Sequence, residues 1–278
     1  MKKMKELLIL GVLLACSGLV QAEEESKMEA TPEKNKLSAA VDVTYVSRYI
    51  WRGFDVYGPG AHGAIQPSID VDLFATGFGF KTWMSKANTD KFENNEQRWD
   101  YTLYYQNSVF DGECYATNYR LSWVYYNYPD NPHRLADLQE MSMVLAWPNI
   151  FPVKGLVPAY ALIKLWPAHS HSMVTEASGF AHVFMLDYGF AICPILPNTV
   201  EQKINLHAET IYNDGVDPRP GGPGVDHDWS NAVFGITAPV DIAKNLTFTP
   251  GYYYQSSWDD SVNDEDENWV SLSMTYKF

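Results

Sequence analysis

The chain has 278 residues, of which 46% are hydrophobic and 14% aromatic, and its formal net charge is -14 at pH 7. This acidity excludes a protein that binds nucleic acid through a basic surface. The hydrophobic content fits either a soluble domain or a membrane barrel, but 18 Tyr and 9 Trp favour a barrel with aromatic girdles.

Residues 1–22 have the pattern of a secretory signal peptide. A lysine-rich start precedes an apolar run at 7–15, and small residues end the segment at Ala22. The alternative is a lipoprotein signal in which Cys16 carries the lipid. Glu6 and the better-placed Ala22 argue against that alternative. We therefore expect an exported protein.

The next fourteen residues, 23–36, are charged and lack aromatic side chains. Such a segment cannot bury enough apolar surface to fold, so it is predicted to be a disordered leader. The folded part should be residues 37–278. Only Cys114 and Cys193 remain in it, and on the strand assignment below they lie too far apart for a disulfide.

From residue 37 onward, apolar and polar side chains alternate in twelve segments separated by turn residues, which indicates half-buried strands. The segments are 37–52, 65–73, 78–87, 99–106, 117–125, 140–147, 159–165, 179–190, 201–209, 231–238, 247–255 and 268–278. Tyr49 and Trp51 are expected on the outer face of the first. Ala159 to Leu165 supply the outer face of the seventh. The eighth is apolar on both faces, which leaves its register open.

The connections between these strands alternate in length along the whole chain. Short or apolar links at 75–77, 111–113, 148–155, 191–199 and 241–245 alternate with longer polar links at 52–63, 88–96, 127–137, 167–178, 213–228 and 259–267. Short periplasmic turns and long extracellular loops produce this pattern. The fold class is therefore all-β: a transmembrane antiparallel up-and-down β-barrel of twelve strands, with both termini periplasmic. Ten or fourteen strands are the alternatives.

The last strand, Asn268–Phe278, ends the chain on an aromatic residue, as the last strands of outer-membrane barrels do. Thr44–Gly53 (TYVSRYIWRG), Tyr125–Pro129 (YYNYP) and Asp228-Trp229 resemble segments of the TorF family. The resemblance implies a porin of the outer membrane, with no particular solute. It also implies insertion by the barrel assembly machinery through the strand ending in Phe278.

The inward faces of the predicted strands carry charges of both signs, which could orient a polar solute or simply pair and fill the lumen. The predicted pore-lining residues are Arg48, Arg52, Asp70, Asp72, Lys81, Asp100, Arg120, Glu140, Lys164, Glu201, Lys203, His207 and Glu209. Arg48 and Arg52 are the best candidates, because they project from one strand face near the first long loop.

Other clusters have simpler interpretations. The His169–Ser172 segment (HSHS) is interpreted as a polar loop, although His171 and Ser172 could belong to a phospholipase-type site. The acidic residues within 259–267 are interpreted as solvated charge, with calcium as an alternative. No metal or cofactor is predicted.

The sequence thus predicts a non-enzymatic outer-membrane channel for passive diffusion of small polar solutes, in contact with membrane lipid. The alternatives are a lipid-acting barrel enzyme and a plugged structural or adhesive barrel.

Overall fold

A computed structural model describes residues 37–58, 62–88, 97–170, 177–193, 202–219 and 224–278. The elements in chain order are β1 (Ser38–Val46), β2 (Ile50–Trp51), β3 (Phe54–Asp55), β4 (Ala64–Asp72), β5 (Phe78–Ala87), β6 (Gln97–Val109), β7 (Thr117–Asn127), α1 (His133–Ala136), β8 (Leu138–Ala146), β9 (Leu156–Pro167), β10 (Gly179–Ile192), β11 (Gln202–Asp214), β12 (Asp228–Thr237), β13 (Val240–Ala243), β14 (Leu246–Ser257) and β15 (Glu267–Lys277).

Twelve long strands form one closed antiparallel barrel, as predicted. Each long strand pairs with its neighbours in the sequence, and β1 closes the barrel by pairing with β15. The remaining strands are short: β13 extends the turn between β12 and β14, whereas β2 and β3 pair only with each other. Closure leaves no unpaired edge, which hydrocarbon surroundings require.

The closing seam carries a carboxylate on its inner side. Asp42 of β1 accepts hydrogen bonds from Thr44 and Thr275, each at 2.7 Å, and a further one from Ser273 of β15. These bonds join the first and last strands of the barrel. They therefore help to hold the register in which β1 and β15 meet.

The outer surface is apolar where the alternation predicts it. The exposed apolar side chains lie on alternate positions, as in β15 with Val270, Leu272, Met274 and Tyr276, whereas Ser271 and Ser273 between them are buried inside. A closed barrel with an apolar outer surface is the architecture that crosses membranes on strands. Among the described residues, no helix is long and apolar enough to span a membrane.

Two parts of the predicted face assignment were wrong. β1 ends at Val46, so Tyr49 and Trp51 lie beyond it and are buried at 2% and 1% exposure instead of facing lipid. In β9 the alternating run from Ala159 to Leu165 faces inward, where it is at most 4% exposed. Both errors have one cause: the lumen contains an apolar core, so an apolar face does not by itself indicate lipid.

Candidate functional site in the barrel lumen

Residues 47–58, which follow β1, fold back into the barrel and are named the inner hairpin. Its strands β2 and β3 are joined by Arg52 and Gly53, with φ of 51° and 93°. Two positive φ angles are those of a tight hairpin turn, in which glycine is favoured. A Cβ on Gly53 would lie 2.7 Å from the Asn231 side chain, so the turn presses against β12. This turn lies where the sequence predicts the end of the first strand and the start of the first long loop, and it directs the chain into the lumen.

The inner hairpin contacts one wall of the barrel through a buried ion pair. An Arg52 guanidinium nitrogen lies 2.6 Å from the Glu140 carboxylate of β8, and both side chains are at most 3% exposed. Tyr126 of β7 donates a second hydrogen bond to Glu140 at 2.6 Å. Burying a charge is costly unless it is paired and hydrogen-bonded. The hairpin and the wall therefore satisfy each other's charges.

A second arginine, Arg98 of β6, lies beside this pair and was not predicted. It is 2% exposed, and its side chain pairs with Asp100 at 2.9 Å. Its guanidinium carbon lies 4.8–5.5 Å from the centroids of four aromatic rings, which belong to Tyr49, Trp51, Trp83 and Tyr126. Two of these rings come from the inner hairpin. Cation–π contacts of this kind add to the attraction between the hairpin and the wall.

The opposite wall also holds the inner hairpin. The Gln255 side chain of β14 donates a hydrogen bond to the Gly53 carbonyl at 2.9 Å. Arg48 pairs with Glu267 of β15 and lies 3.7 Å from Asp55. Burial raises the pKa of Asp55, although the nearby Arg48 opposes this effect. The hairpin therefore crosses the lumen from the β5–β8 side to the β12–β15 side.

Near the chain termini, the inner wall carries partly exposed polar side chains on β4, β5 and β7, whereas the inward residues Val144, Ala146 and Val157 of β8 and β9 are buried. The polar side chains on this part of the wall are Asp70, Asp72, Lys81 and Arg120, all at inward positions of β4, β5 and β7. Asp70 accepts a hydrogen bond from Tyr104 at 2.7 Å. Lys81 is the direct cross-strand neighbour of Asp70. This region of the wall thus carries partly exposed charges of both signs.

Across the lumen, β10 and β11 present a second mixed group. The ring nitrogens of His207 lie 2.7 Å from Asp187 and 3.4 Å from Glu209. By alternation, Lys203 lies on the same inner face of β11. A histidine between two carboxylates donates to both only when it is protonated, so this group can hold an extra positive charge in the lumen.

Four residues that the sequence singled out do not line the described part of the lumen. Lys164 lies on the outer face of β9, since its neighbours Ile163 and Leu165 are fully buried inside, and its ammonium is 4.4 Å from the centroid of the exposed Phe180 ring. The prediction that it faces the pore followed the inverted face assignment of β9. Glu201 lies outside the described residues. So do His171 and Ser172, the suspects for a lipid-acting enzyme.

The remaining clusters show local roles. In the last long loop Asp266 accepts bonds from Tyr254 at 2.6 Å and from the Ser257 amide. Within the described part of the chain, no group of three or more His, Cys, Asp or Glu residues is arranged to hold a metal ion. Cys114 and Cys193 are exposed and free.

Comparisons with known proteins give similarity in architecture only. No family model matches the chain, and no curated protein matches its sequence. The solved structure of the KdgM porin is 10% identical, with 86% of this chain and 99% of that one covered and a TM-score of 0.49. The NanC porin is 12% identical over 86% and 100%, with a TM-score of 0.49. LpxR from Salmonella typhimurium is 8% identical over 86% and 99%, with a TM-score of 0.48. Identities this low carry no information about solute or activity.

Proposed function

We propose that the protein is an outer-membrane, porin-like channel for passive diffusion of small polar solutes, narrowed by the inner hairpin. The observation that carries the proposal is a group of charged inward side chains near the termini that keep access to solvent, although inward residues such as Val144 and Ala146 are buried there. Near the loops, inward side chains such as Arg98 and Glu140 are at most 2% exposed. Near the termini, Lys81 and Arg120 keep access to solvent. A polar, solvated lumen with one constriction is how pores select by size and charge.

The proposal places both termini in the periplasm and the long loops outside the cell. Insertion through the final strand ending in Phe278 by the barrel assembly machinery, and membership of the TorF family, belong to the same proposal. The outer apolar positions would contact lipid.

Reconstitution in planar bilayers tests the channel directly. Purified protein that shifts mobility between unheated and boiled samples in SDS gels is folded, and we expect it to give discrete single-channel currents. Proteoliposomes should also swell in small uncharged solutes and not in large ones. A folded barrel that gives neither conductance nor swelling would overturn the channel function.

A plugged barrel is the second candidate, and one observation favours it. The inner hairpin buries Tyr49, Trp51, Phe54 and Tyr57 in the same core as Ile163 and Leu165 of β9. Replacing residues 48–57 with a short Gly-Ser linker separates the two candidates. A channel should conduct before the replacement and conduct more after it. A plugged barrel should conduct only after it.

A further inference from the structure

Arg120 differs from the other arginines that line the described part of the lumen, because it forms no ion pair with any described residue. Its guanidinium carbon lies 3.8 Å from the centroid of the Tyr104 ring. Among the described residues, this ring is its only side-chain partner, with no carboxylate or carbonyl within bonding distance. Arg52, Arg98 and Arg219, by contrast, each pair with an acidic residue.

The ring beneath Arg120 is held in place by two neighbouring strands. Tyr104 of β6 leans across Gly79 of β5, where a Cβ would lie 2.0 Å from the ring. Its hydroxyl then reaches Asp70 of β4, to which it donates at 2.7 Å. Only glycine at position 79 leaves room for the ring to lie against the wall. The result is a fixed aromatic platform on which a planar guanidinium can stack.

Because the guanidinium of Arg120 stacks on the Tyr104 ring, its N–H donors point outward in the plane of the guanidinium and not toward the ring. A guanidinium has five N–H donors in a fork that matches the two oxygens of a carboxylate. Here one face of the group is covered by the ring, and the side chain is partly exposed. A solute in the lumen can therefore meet the donors without first breaking a salt bridge.

The surroundings of Arg120 contain further unused hydrogen-bonding groups. Asn118 lies two residues away on the same inner face, and its amide nitrogen is buried without a hydrogen-bond partner among the described residues. Gln106 is the cross-strand neighbour of Arg120, and its amide oxygen is likewise without a described partner. The nearby carboxylates are already engaged: Asp70 by Tyr104, and Asp72 by the Ala75 amide at 2.8 Å.

We propose that Arg120, stacked on Tyr104, is a binding site for the carboxylate group of a solute in the lumen. Tyr104 is a positioning residue, since it acts on the solute only through Arg120. That such solutes also cross the barrel rests on the proposed channel function. The binding site itself does not, because it requires only that Arg120 be accessible to solvent.

The probe is trifluoroacetate, observed by fluorine NMR in the presence of the folded barrel in an uncharged detergent. Its signal should broaden with increasing protein, and acetate should reverse the broadening. Trifluoroacetamide, a neutral molecule of nearly the same shape, should broaden much less. Arg120→Gln should reduce the specific broadening by about fivefold or more, because the charge-assisted bidentate contact is lost.

Three further variants separate a binding role from a structural one. Arg120→Lys keeps the charge but not the fork, so intermediate broadening is expected. Tyr104→Leu removes the platform while Arg120 remains, and broadening should fall. Lys164→Gln removes the same charge from the outer face and should behave as wild type. The unheated gel shift verifies that each variant is folded.

Specific broadening in Arg120→Gln that equals that of the wild type would overturn the inference. So would equal broadening by the acid and the amide. Failure of the binding site can be distinguished from failure of the channel function. A barrel that binds trifluoroacetate without conducting loses the channel and keeps the site, whereas one that conducts without binding loses only the site.

Discussion

Removing the negative charge of Glu140 tests whether its ion pair with Arg52 keeps the inner hairpin inside the barrel. In Glu140→Gln the buried Arg52 guanidinium loses the carboxylate that it contacts at 2.6 Å. Breaking one partner of a buried pair costs about 3–5 kcal/mol. The hairpin can avoid this cost by leaving the lumen, so the loss should appear as undocking and not as unfolding of the barrel.

The other contacts set how far undocking proceeds. The hairpin buries four aromatic side chains, Tyr49, Trp51, Phe54 and Tyr57, worth about 1.5–3 kcal/mol each, or about 6–12 kcal/mol together. Glu140→Gln alone should therefore leave the hairpin mostly docked. Adding Trp51→Ala removes about 3–5 kcal/mol more. The combined loss of about 6–10 kcal/mol is an upper limit, since Arg52 stacks on Trp51 at 4.5 Å and the two substitutions share that contact.

Two measurements report the fraction of molecules in which the inner hairpin is docked inside the barrel. Trypsin should cleave after Arg52 slowly in the wild type, somewhat faster in Glu140→Gln, and fastest in the double variant. Single-channel conductance should rise in the same order. Glu113→Gln, which removes a carboxylate from an exposed turn, is the matched control. If the double variant matches wild type in both protease protection and conductance while remaining folded, the hairpin is not held by these contacts and the reasoning fails.

Three other substitutions test separate parts of the structure. Asp137→Asn should destabilise the third long loop by about 1.5–3 kcal/mol, because the carboxylate accepts hydrogen bonds from Tyr125 and the Tyr128 amide. Burial raises the pKa of Asp137, but these hydrogen bonds outweigh burial and hold the pKa below 3.8. Its stabilisation should be present above pH 3.8 and lost as the pH falls through the lower folded value. Protection factors from hydrogen exchange of residues 128–137, corrected for the intrinsic rate at each pH, can follow this loss; equal protection factors at pH 6 and pH 2 would contradict it. Asp42→Asn should weaken the β1–β15 seam by about 1–3 kcal/mol and lower the temperature at which the gel mobility shifts, whereas an unchanged temperature would remove Asp42 from barrel closure. Leu272→Arg should cost about 2–4 kcal/mol if this position lies at the membrane midplane, with Leu272→Phe as the tolerated control; an arginine tolerated equally well would place the position outside the hydrocarbon.

Alternation along the chain was enough to predict the twelve strands, their antiparallel order and the alternating connections. Strand pleating turns successive side chains to opposite faces, so this information is local. It also placed Asp70, Lys81, Glu140 and His207 on inward positions. The same rule could not determine which apolar face meets lipid in β9, because the interior of this barrel is apolar there as well.

Only the tertiary structure determined what fills the lumen. Arg52 and Glu140 are 88 positions apart in the chain, and Arg98 meets four rings from three separate segments. No local sequence pattern predicts these contacts, since they depend on the position that the inner hairpin takes inside the closed barrel. Tyr49 and Trp51 show the limit most clearly: an aromatic ring suits a membrane interface and a buried core equally well. The alternation thus determined the wall of this barrel, and the packing of one hairpin against that wall decided the shape and charge of the space inside.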